Sequence, residues 1–576
     1  MVRVIAPNPP RTARARAARR RRLAALAALA AVSLGVGMAV GAGHKSSSSE
    51  RLADRFEAAW QRGDYQAMYG MLTPSSQRRV RLSNFVAAYT RARDTATATR
   101  IVAGRAKDVG SGIVEVPMTV TTRIFGTVQA DLRLRAKDGR LGWAPNLAFP
   151  GMSRGATLRR STQSPERAAI LARDGKTIVE GPGNSRSSPL GSVGESIAGT
   201  VGQAVSSADR QELYSRGFPA DTPVGLSGLE RALEDQVAGT PGGQLIAGDR
   251  VLASTQPRAA EPVRTTIDPD VQAAAVEALA GRFGGIAALD ARTGEVRALA
   301  GIAFSAPQPP GSTFKVITAT AVLRWGVAKP RTQFPVDTKA TIDGVDLQNA
   351  NGEYCGGTLV QSFARSCNSV FAPLGVKVGA DRLVAQAERY GFNEQPSIPG
   401  ALPSTIPAAD EIGSPLAIGS TAIGQGRVLA TPLELASVAQ TIASDGLRRR
   451  PSLVPGSPAA PTIRATSPRV ARTLERMMID VVKYGTGVRA ALPYATVAGK
   501  TGTAELESTV PPKGTTGPET PSDTEEPPGS KTDAWFTGYA PVRHPKIAVC
   551  VLLVRAGAGG DTAAPAARTV LAAGLH

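Results

Sequence analysis

Apolar positions along this chain change their spacing several times, and each change predicts an element or a boundary. The first run, Leu23–Gly43, holds 21 residues without a charge. At about 1.5 Å of rise per residue, a helix of that length crosses a bilayer core of roughly 30 Å. From 51 to 93 the spacing is helical: Leu52, Phe56, Trp60, Tyr65, Met68 and Met71 recur with Arg and Asp between them. Between Thr99 and Pro145 the period falls to two in a β-branched stretch, IVEVPMTVTTRIFGTVQADLRLRA, which predicts strands. Helices followed by a curved sheet make a small α+β unit over residues 46–152.

A second unit is expected over 153–261. It opens with RAAILARDGKTIVEG, two apolar runs meeting at Asp174-Gly175, a hairpin signal. Within Gly225–Gly243, Leu229, Leu233 and Val237 line one helix face, with Ser227 as N-cap and Gly239 as C-cap. The third unit, 262–576, begins with a helix over Val271–Leu279. A hairpin turning at Thr293-Gly294 follows, then several helices. A last strand pair is expected near Tyr494–Thr503 and Lys546–Val554, with a closing helix over Ala563–Ala573. The segment from Glu507 to Thr532 carries six prolines and several acids, and is expected to be a loop.

Charge then assigns sides. Eight of the net +20 charges are arginines in residues 1–22, which contain no acid. That asymmetry places residues 1–22 in the cytoplasm and exports the rest, and an apolar run longer than a usual signal-peptide core makes 23–43 an uncleaved anchor. The remaining excess is diffuse and suits anionic envelope polymers; no nucleic-acid motif accompanies it. Three cysteines exclude a disulfide-dense scaffold. The only histidines are His44, His544 and His576; none is placed for a Ser-His-Asp triad, and zinc spacings are absent. No metal or cofactor is expected.

The chemistry concentrates in three short stretches. In PPGSTFKVITATAVL, Pro309 to Gly311 stop the preceding element and an apolar helix begins, so Ser312 and Lys315 share one face of its first turn. A lysine desolvated there and repelled by a second cation loses its proton and can activate the hydroxyl. The Ser312 amide at a helix start favours an oxyanion. In LVQSFARSCNSVFAPLG, Ser366 and Asn368 offer a hydroxyl and a carboxamide. In TVAGKTGTAE, Lys500 supplies the second cation, Gly502 admits another backbone, and Thr501 and Thr503 can hold a carboxylate.

In this order the three sets resemble the S-x-x-K, S-x-N and K-T-G series of penicillin-binding proteins and serine β-lactamases. From about Arg167 onward the chain is similar to class B penicillin-binding proteins. Gly225–Glu230, Ile267–Gln272, Ile423–Ala436, Val481–Gly487 and Asp533–Pro541 also resemble that family. Residues 46–150 more weakly resemble a nuclear-transport-factor-like module. The resemblance implies a multi-domain chain: a transmembrane helix, that α+β module over 46–152, a mixed α+β dimerisation (pedestal) domain over 153–261, and a transpeptidase domain over 262–576 with an antiparallel sheet between helices.

It also implies a D,D-transpeptidase. Ser312 attacks the penultimate D-alanine carbonyl of a stem peptide, and Lys315 is the base. Ser366 passes a proton to the leaving D-alanine, and Asn368 binds the peptide backbone. Lys500, Thr501 and Thr503 hold the terminal carboxylate, with the Ser312 and Thr503 amides as oxyanion hole. Peptidoglycan stem peptides, the lipid-linked precursor, β-lactams and a polytopic membrane glycosyltransferase are the implied partners. Three departures stand out: cysteine at 367, a short Ala298–Gly311 stretch, and the acidic Pro-rich segment directly after K-T-G. Cys355 and Cys367 flank one helix in an exported domain, which allows a disulfide without requiring it. A D,D-carboxypeptidase, a β-lactamase and an inactive β-lactam-binding scaffold remain the alternatives at this point.

Overall fold

The computed structural model describes residues 46–456, 461–505 and 531–576. The expected anchor at 23–43, and all but the end of the Pro-rich segment 507–532, lie outside the described residues. Among the described residues no helix is long and apolar enough to cross a membrane. The described chain forms two compact units: one runs to Ser161 and adds Gly243–Thr255, and the other joins Thr162–Gly242 to Gln256–His576.

In the first unit, helices Ser48–Gln61 and Leu82–Ala96 pack against an antiparallel sheet of five strands. Ser47 and Glu50 cap the first helix reciprocally. The alternation seen in the sequence is realised along Ile113–Thr122, where Val114, Val116, Met118 and Val120 face inward. They meet Phe56, Trp60, Phe85, Tyr89 and Trp143, and the Trp143 indole donates to the Tyr89 hydroxyl at 3.2 Å. The hairpin of Gly242–Ala247 and Arg250–Thr255, expected within 153–261, pairs with strand Leu158–Gln163 and places Leu245 in this core.

The second unit opens with the expected hairpin, Ile170–Leu171 against Thr177–Val179. The helix expected over Gly225–Gly243 is instead two short ones, Gly228–Ala232 and Glu234–Val237. They part at Leu233 (φ −112°, ψ 13°), and tertiary bonds hold the start of the first one. The Ser227 hydroxyl accepts from the Thr200 amide at 3.0 Å and does not cap the helix. The buried Glu230 is gripped by Arg167 and Arg186, both at 2.6 Å.

The rest of this unit is a five-stranded antiparallel sheet between two helical layers. Its elements are α1 (Pro269–Leu279), β1 (Gly284–Asp290), β2 (Val296–Gly301), α2 (Lys315–Arg324), α3 (Leu359–Ala364), α4 (Asn368–Val378), α5 (Pro432–Ala443), α6 (Pro468–Lys483), β3 (Ala498–Glu505), β4 (Thr532–Ala540), β5 (Ile547–Leu553) and α7 (Ala563–Ala573). The spatial order is β2-β1-β5-β4-β3. The two strands expected to pair at the end are therefore β3 and β5, and they do not touch: β4 lies between them. Both sheet faces are covered, so strands read as unbroken apolar runs such as KIAVCVLLV. Alternate residues divide the two cores. Ile286, Ala288, Val549 and Val551 pack with α1 and α7, while Ala287, Leu289, Ala548 and Cys550 pack with α2, α5 and α6.

Candidate active site

The first turn before α2 is a tight one, Gly311–Phe314, and its geometry requires glycine. Gly311 has φ +51°, donates to the Gly424 carbonyl at 2.9 Å, and a Cβ there would sit 2.6 Å from the Thr503 carbonyl oxygen. The turn can thus lie directly on β3. From there every residue of α2 between Lys315 and Val322 is buried, which draws the Lys315 side chain out of water with it.

The Lys315 ammonium nitrogen meets four oxygens: Ser312 Oγ at 3.0 Å, Ser366 O at 2.6 Å, Ser366 Oγ at 3.3 Å and Asn368 Oδ1 at 2.6 Å. Ser366 lies in the turn between α3 and α4 with φ +65°, a left-handed conformation that serine adopts at a cost of order 1 kcal/mol. Its carbonyl bond to Lys315 and a Cys355–Cys367 disulfide hold that turn. The allowed pairing of these cysteines is therefore formed. Asn368 is used from both ends, since its amide nitrogen donates to the Gln348 carbonyl at 2.7 Å.

Lys500 arrives from β3, donating to Ser366 Oγ at 2.8 Å and to Thr501 O at 2.9 Å. The Ser366 hydroxyl therefore bridges the two lysines. Both amines are fully buried, Lys315 beside the Phe371 ring and Lys500 beside the Phe363 ring, each at 5.7 Å from the centroid. Burial drives both amines toward the neutral form. Lys315 is held well below the ordinary lysine range by desolvation first and by repulsion from Lys500 second. Burial alone brings Lys500 down to about 7. Among the described residues no carboxylate pairs with either amine, so none there gives an ionic reason to keep a proton.

The threonines flank this pair. Thr501 shares a short hydroxyl–hydroxyl bond with Thr486, and Thr503 accepts from the Gly559 amide at 3.2 Å. Gly502 is needed where it stands: a Cβ would lie 2.9 Å from the Pro310 carbonyl and 3.0 Å from Trp535 Cβ. All eight residues singled out in the sequence thus surround one cleft. Thr486, Gly559, Gly424 and Phe371 belong to it as well and were not singled out. The first and third sit in the family-like stretches Val481–Gly487 and Ile423–Ala436, which carry the resemblance but give neither residue a role. His544 lies in the turn after β4, at the sheet end away from Thr503. Among the described residues no cluster of His, Cys, Asp or Glu could hold a metal.

The arrangement offers a hydroxyl beside a desolvated amine, a relaying hydroxyl, a second cation and a strand edge. Such an arrangement can carry out acyl transfer with a lysine as base. Residues 284–572 match the penicillin binding protein transpeptidase domain, and residues 166–254 the penicillin-binding protein dimerisation domain. The chain is 33% identical over 431 residues to the peptidoglycan D,D-transpeptidase PbpA of Mycolicibacterium smegmatis, covering 63% of this chain and 81% of that protein. It is 35% identical over 306 residues to PbpA of Mycobacterium tuberculosis, covering 48% of this chain but only 56% of that protein. The crystal structure of the M. tuberculosis protein superposes with a TM-score of 0.54 at 27% identity, over 71% of this chain and 99% of that one. Its penicillin G acyl-enzyme complex matches with a TM-score of 0.55 at 27% identity, over 72% and 100%.

Proposed function

Because this chain belongs to the penicillin-binding protein transpeptidase family, in its class B form with a dimerisation domain, we propose that it cross-links peptidoglycan stem peptides through an acyl-enzyme on Ser312. The observation that carries the mechanism is how the Lys315 nitrogen is surrounded. An ammonium has three protons, and four oxygens face it. The two shortest contacts are to carbonyl oxygens, of Ser366 and Asn368, which can only accept. A neutral amine gives its two protons to these and turns its lone pair to the Ser312 hydroxyl. Desolvation and Lys500 favour that neutral form. Ser312 Oγ then adds to the penultimate D-alanine carbonyl as its proton moves to Lys315. The tetrahedral oxyanion is met by the Ser312 and Thr503 amides. The C–N bond breaks, and the leaving D-alanine amine takes a proton through the Ser366 hydroxyl. Lys500, Thr501 and Thr503 hold the terminal carboxylate, and Gly502 keeps β3 close enough to do so. Asn368 lines the peptide side. A stem-peptide amine resolves the ester and forms the cross-link; a β-lactam carbonyl enters the same path and stays.

In this reading residues 23–43 anchor the chain in the cell membrane, with 1–22 inside and the catalytic unit outside. That arrangement gives the basic tail its purpose and brings the cleft near the lipid-linked precursor, made available to it by a polytopic membrane glycosyltransferase. Residues 46–152, helices on a curved sheet, act as a nuclear-transport-factor-like spacer, 153–261 as the pedestal, and 262–576 as the catalytic domain. Incubation of the full-length chain with nascent peptidoglycan and product analysis tests the activity. Cross-linked dimers with equimolar D-alanine are expected, and all are lost in Ser312→Ala. D-alanine release without dimers would replace the transpeptidase with a carboxypeptidase.

A further inference from the structure

A second cavity of about 700 Å³ opens in the larger unit, at the end of the sheet away from Ser312. Its wall is the turn between β1 and β2, where Asp290 pairs with Ile547, whereas the catalytic threonine Thr503 pairs with Ala534 at the other end of the sheet. That volume lies within the range of small-molecule sites, roughly 300–1,000 Å³, which prefer junctions between domains. This one is such a junction: Leu233 comes from the pedestal segment, and Ile398 and Leu453 from the catalytic domain. All three are buried side chains, so the floor is apolar.

The rim is cationic. Arg292, Arg449 and Arg450 line it, with Glu295 as the one acid. Glu295 is already bound by Arg297 at 3.0 Å, and Arg450 is paired with Glu394. Among the described residues the Arg449 guanidinium has one long contact, to the Ser444 hydroxyl at 3.4 Å, and Arg292 forms no ion pair. Two guanidiniums thus line one cavity with no carboxylate partner among the described residues. The segments that carry them lie side by side, because a Cβ on Gly294, in the turn that holds Arg292, would lie 3.0 Å from Arg449 Cβ. The rim is also anchored. Segment 449–454 runs beside β2, with the Val296 amide bonded to Ser452 O at 2.9 Å and the Ser397 hydroxyl to Pro451 O at 2.6 Å. Two forked donors above an apolar floor match a molecule with carboxylate oxygens at one end and an uncharged body behind them.

We propose that this cavity is a second binding site, for a small carboxylate-bearing fragment of the cell wall, held by Arg292 and Arg449. The site stands on its own geometry; only the choice of a wall fragment rests on the function proposed above. The test uses the full-length chain acylated at Ser312 with penicillin G, so that the catalytic cleft is closed, and titrates muramyl dipeptide by calorimetry. One-to-one binding is expected. Arg292→Gln should weaken it at least threefold and the double variant Arg292→Gln/Arg449→Gln at least tenfold, while Arg568→Gln on α7 changes nothing. Arg292 is exposed and loses no side-chain partner among the described residues, so its variant keeps the fold. Absence of saturable binding up to millimolar concentration overturns the site, and so does binding that both arginine variants leave intact. Stoichiometric penicillin labelling in the same samples reports separately on the catalytic reading.

Discussion

In the proposed mechanism acylation turns on Lys315, and the environment of that residue sets a testable pH profile. A buried lysine whose folded pKa is depressed is protonated below that pKa, and protonation removes the lone pair that Ser312 needs. Acylation by penicillin G should therefore fall about tenfold per pH unit on the acid side of the Lys315 transition. Repulsion from Lys500 is the second cause of the depression. Replacing it in Lys500→Met should raise the Lys315 pKa and move the acid limb of the profile to higher pH. A limb that stays in place in stopped-flow measurements would show that the two amines do not sense each other. The same residue was legible in the sequence because chemistry demanded it: with no usable histidine, a serine nucleophile needs an amine. What spacing could not show was that Asn368 would give its oxygen to Lys315 and its nitrogen to Gln348. Gln348 is 20 positions away, and nothing local marks its carbonyl.

The elements around the cleft differ in how they are held. β3 is fixed by pairing along β4 from Ala498 to Glu505, and α2 by complete burial. The Ser366 turn has neither: it is short, left-handed and bracketed by the Cys355–Cys367 disulfide. A cross-link closing so short a loop contributes about 2–4 kcal/mol. The double variant Cys355→Ala/Cys367→Ala should lose that much in chemical denaturation. It should also acylate more slowly, since Ser366 and Asn368 lose their brace; unchanged rates would assign the bond to stability alone. Element prediction succeeded where a period ruled a stretch, as in the helices of 51–93, or where a turn marked it, as at Thr293-Gly294 between β1 and β2. It failed where tertiary bonds overrode propensity, as at Ser227, whose hydroxyl serves Thr200 instead of a helix. β4 was overlooked because DAWFTGYA carries no alternation and, unlike the β-branched run of β5, is interrupted by a glycine.

Across the whole molecule, each compact unit has its own core, and the smaller one contains a buried acid. Glu57 is buried without a hydrogen-bond partner among the described residues, and burial pushes its carboxyl up to about 8. A carboxyl with a raised folded pKa favours the folded state fully below its unfolded value near 4.5, and that advantage drains away as pH rises toward 8. Glu57→Gln should therefore be more stable than the parent at pH 8, by on the order of 3 kcal/mol, with no gain at pH 4. Fluorescence of Trp60 and Trp143, both in that core, reports the unfolding. The two-core division was only partly visible in sequence, because the hairpin 242–255 leaves its neighbours to complete the first unit, and no local pattern announces a long-range exchange of that kind. The central claim concerns one hydroxyl woken by one buried amine, and intact-protein mass spectrometry after exposure to penicillin G tests it most directly. The parent chain should gain a single penicilloyl mass mapping to Ser312, with Ser312→Ala unlabelled and Lys315→Met slowed at least a thousandfold. An adduct on any other residue, or undiminished labelling in Lys315→Met, would contradict it.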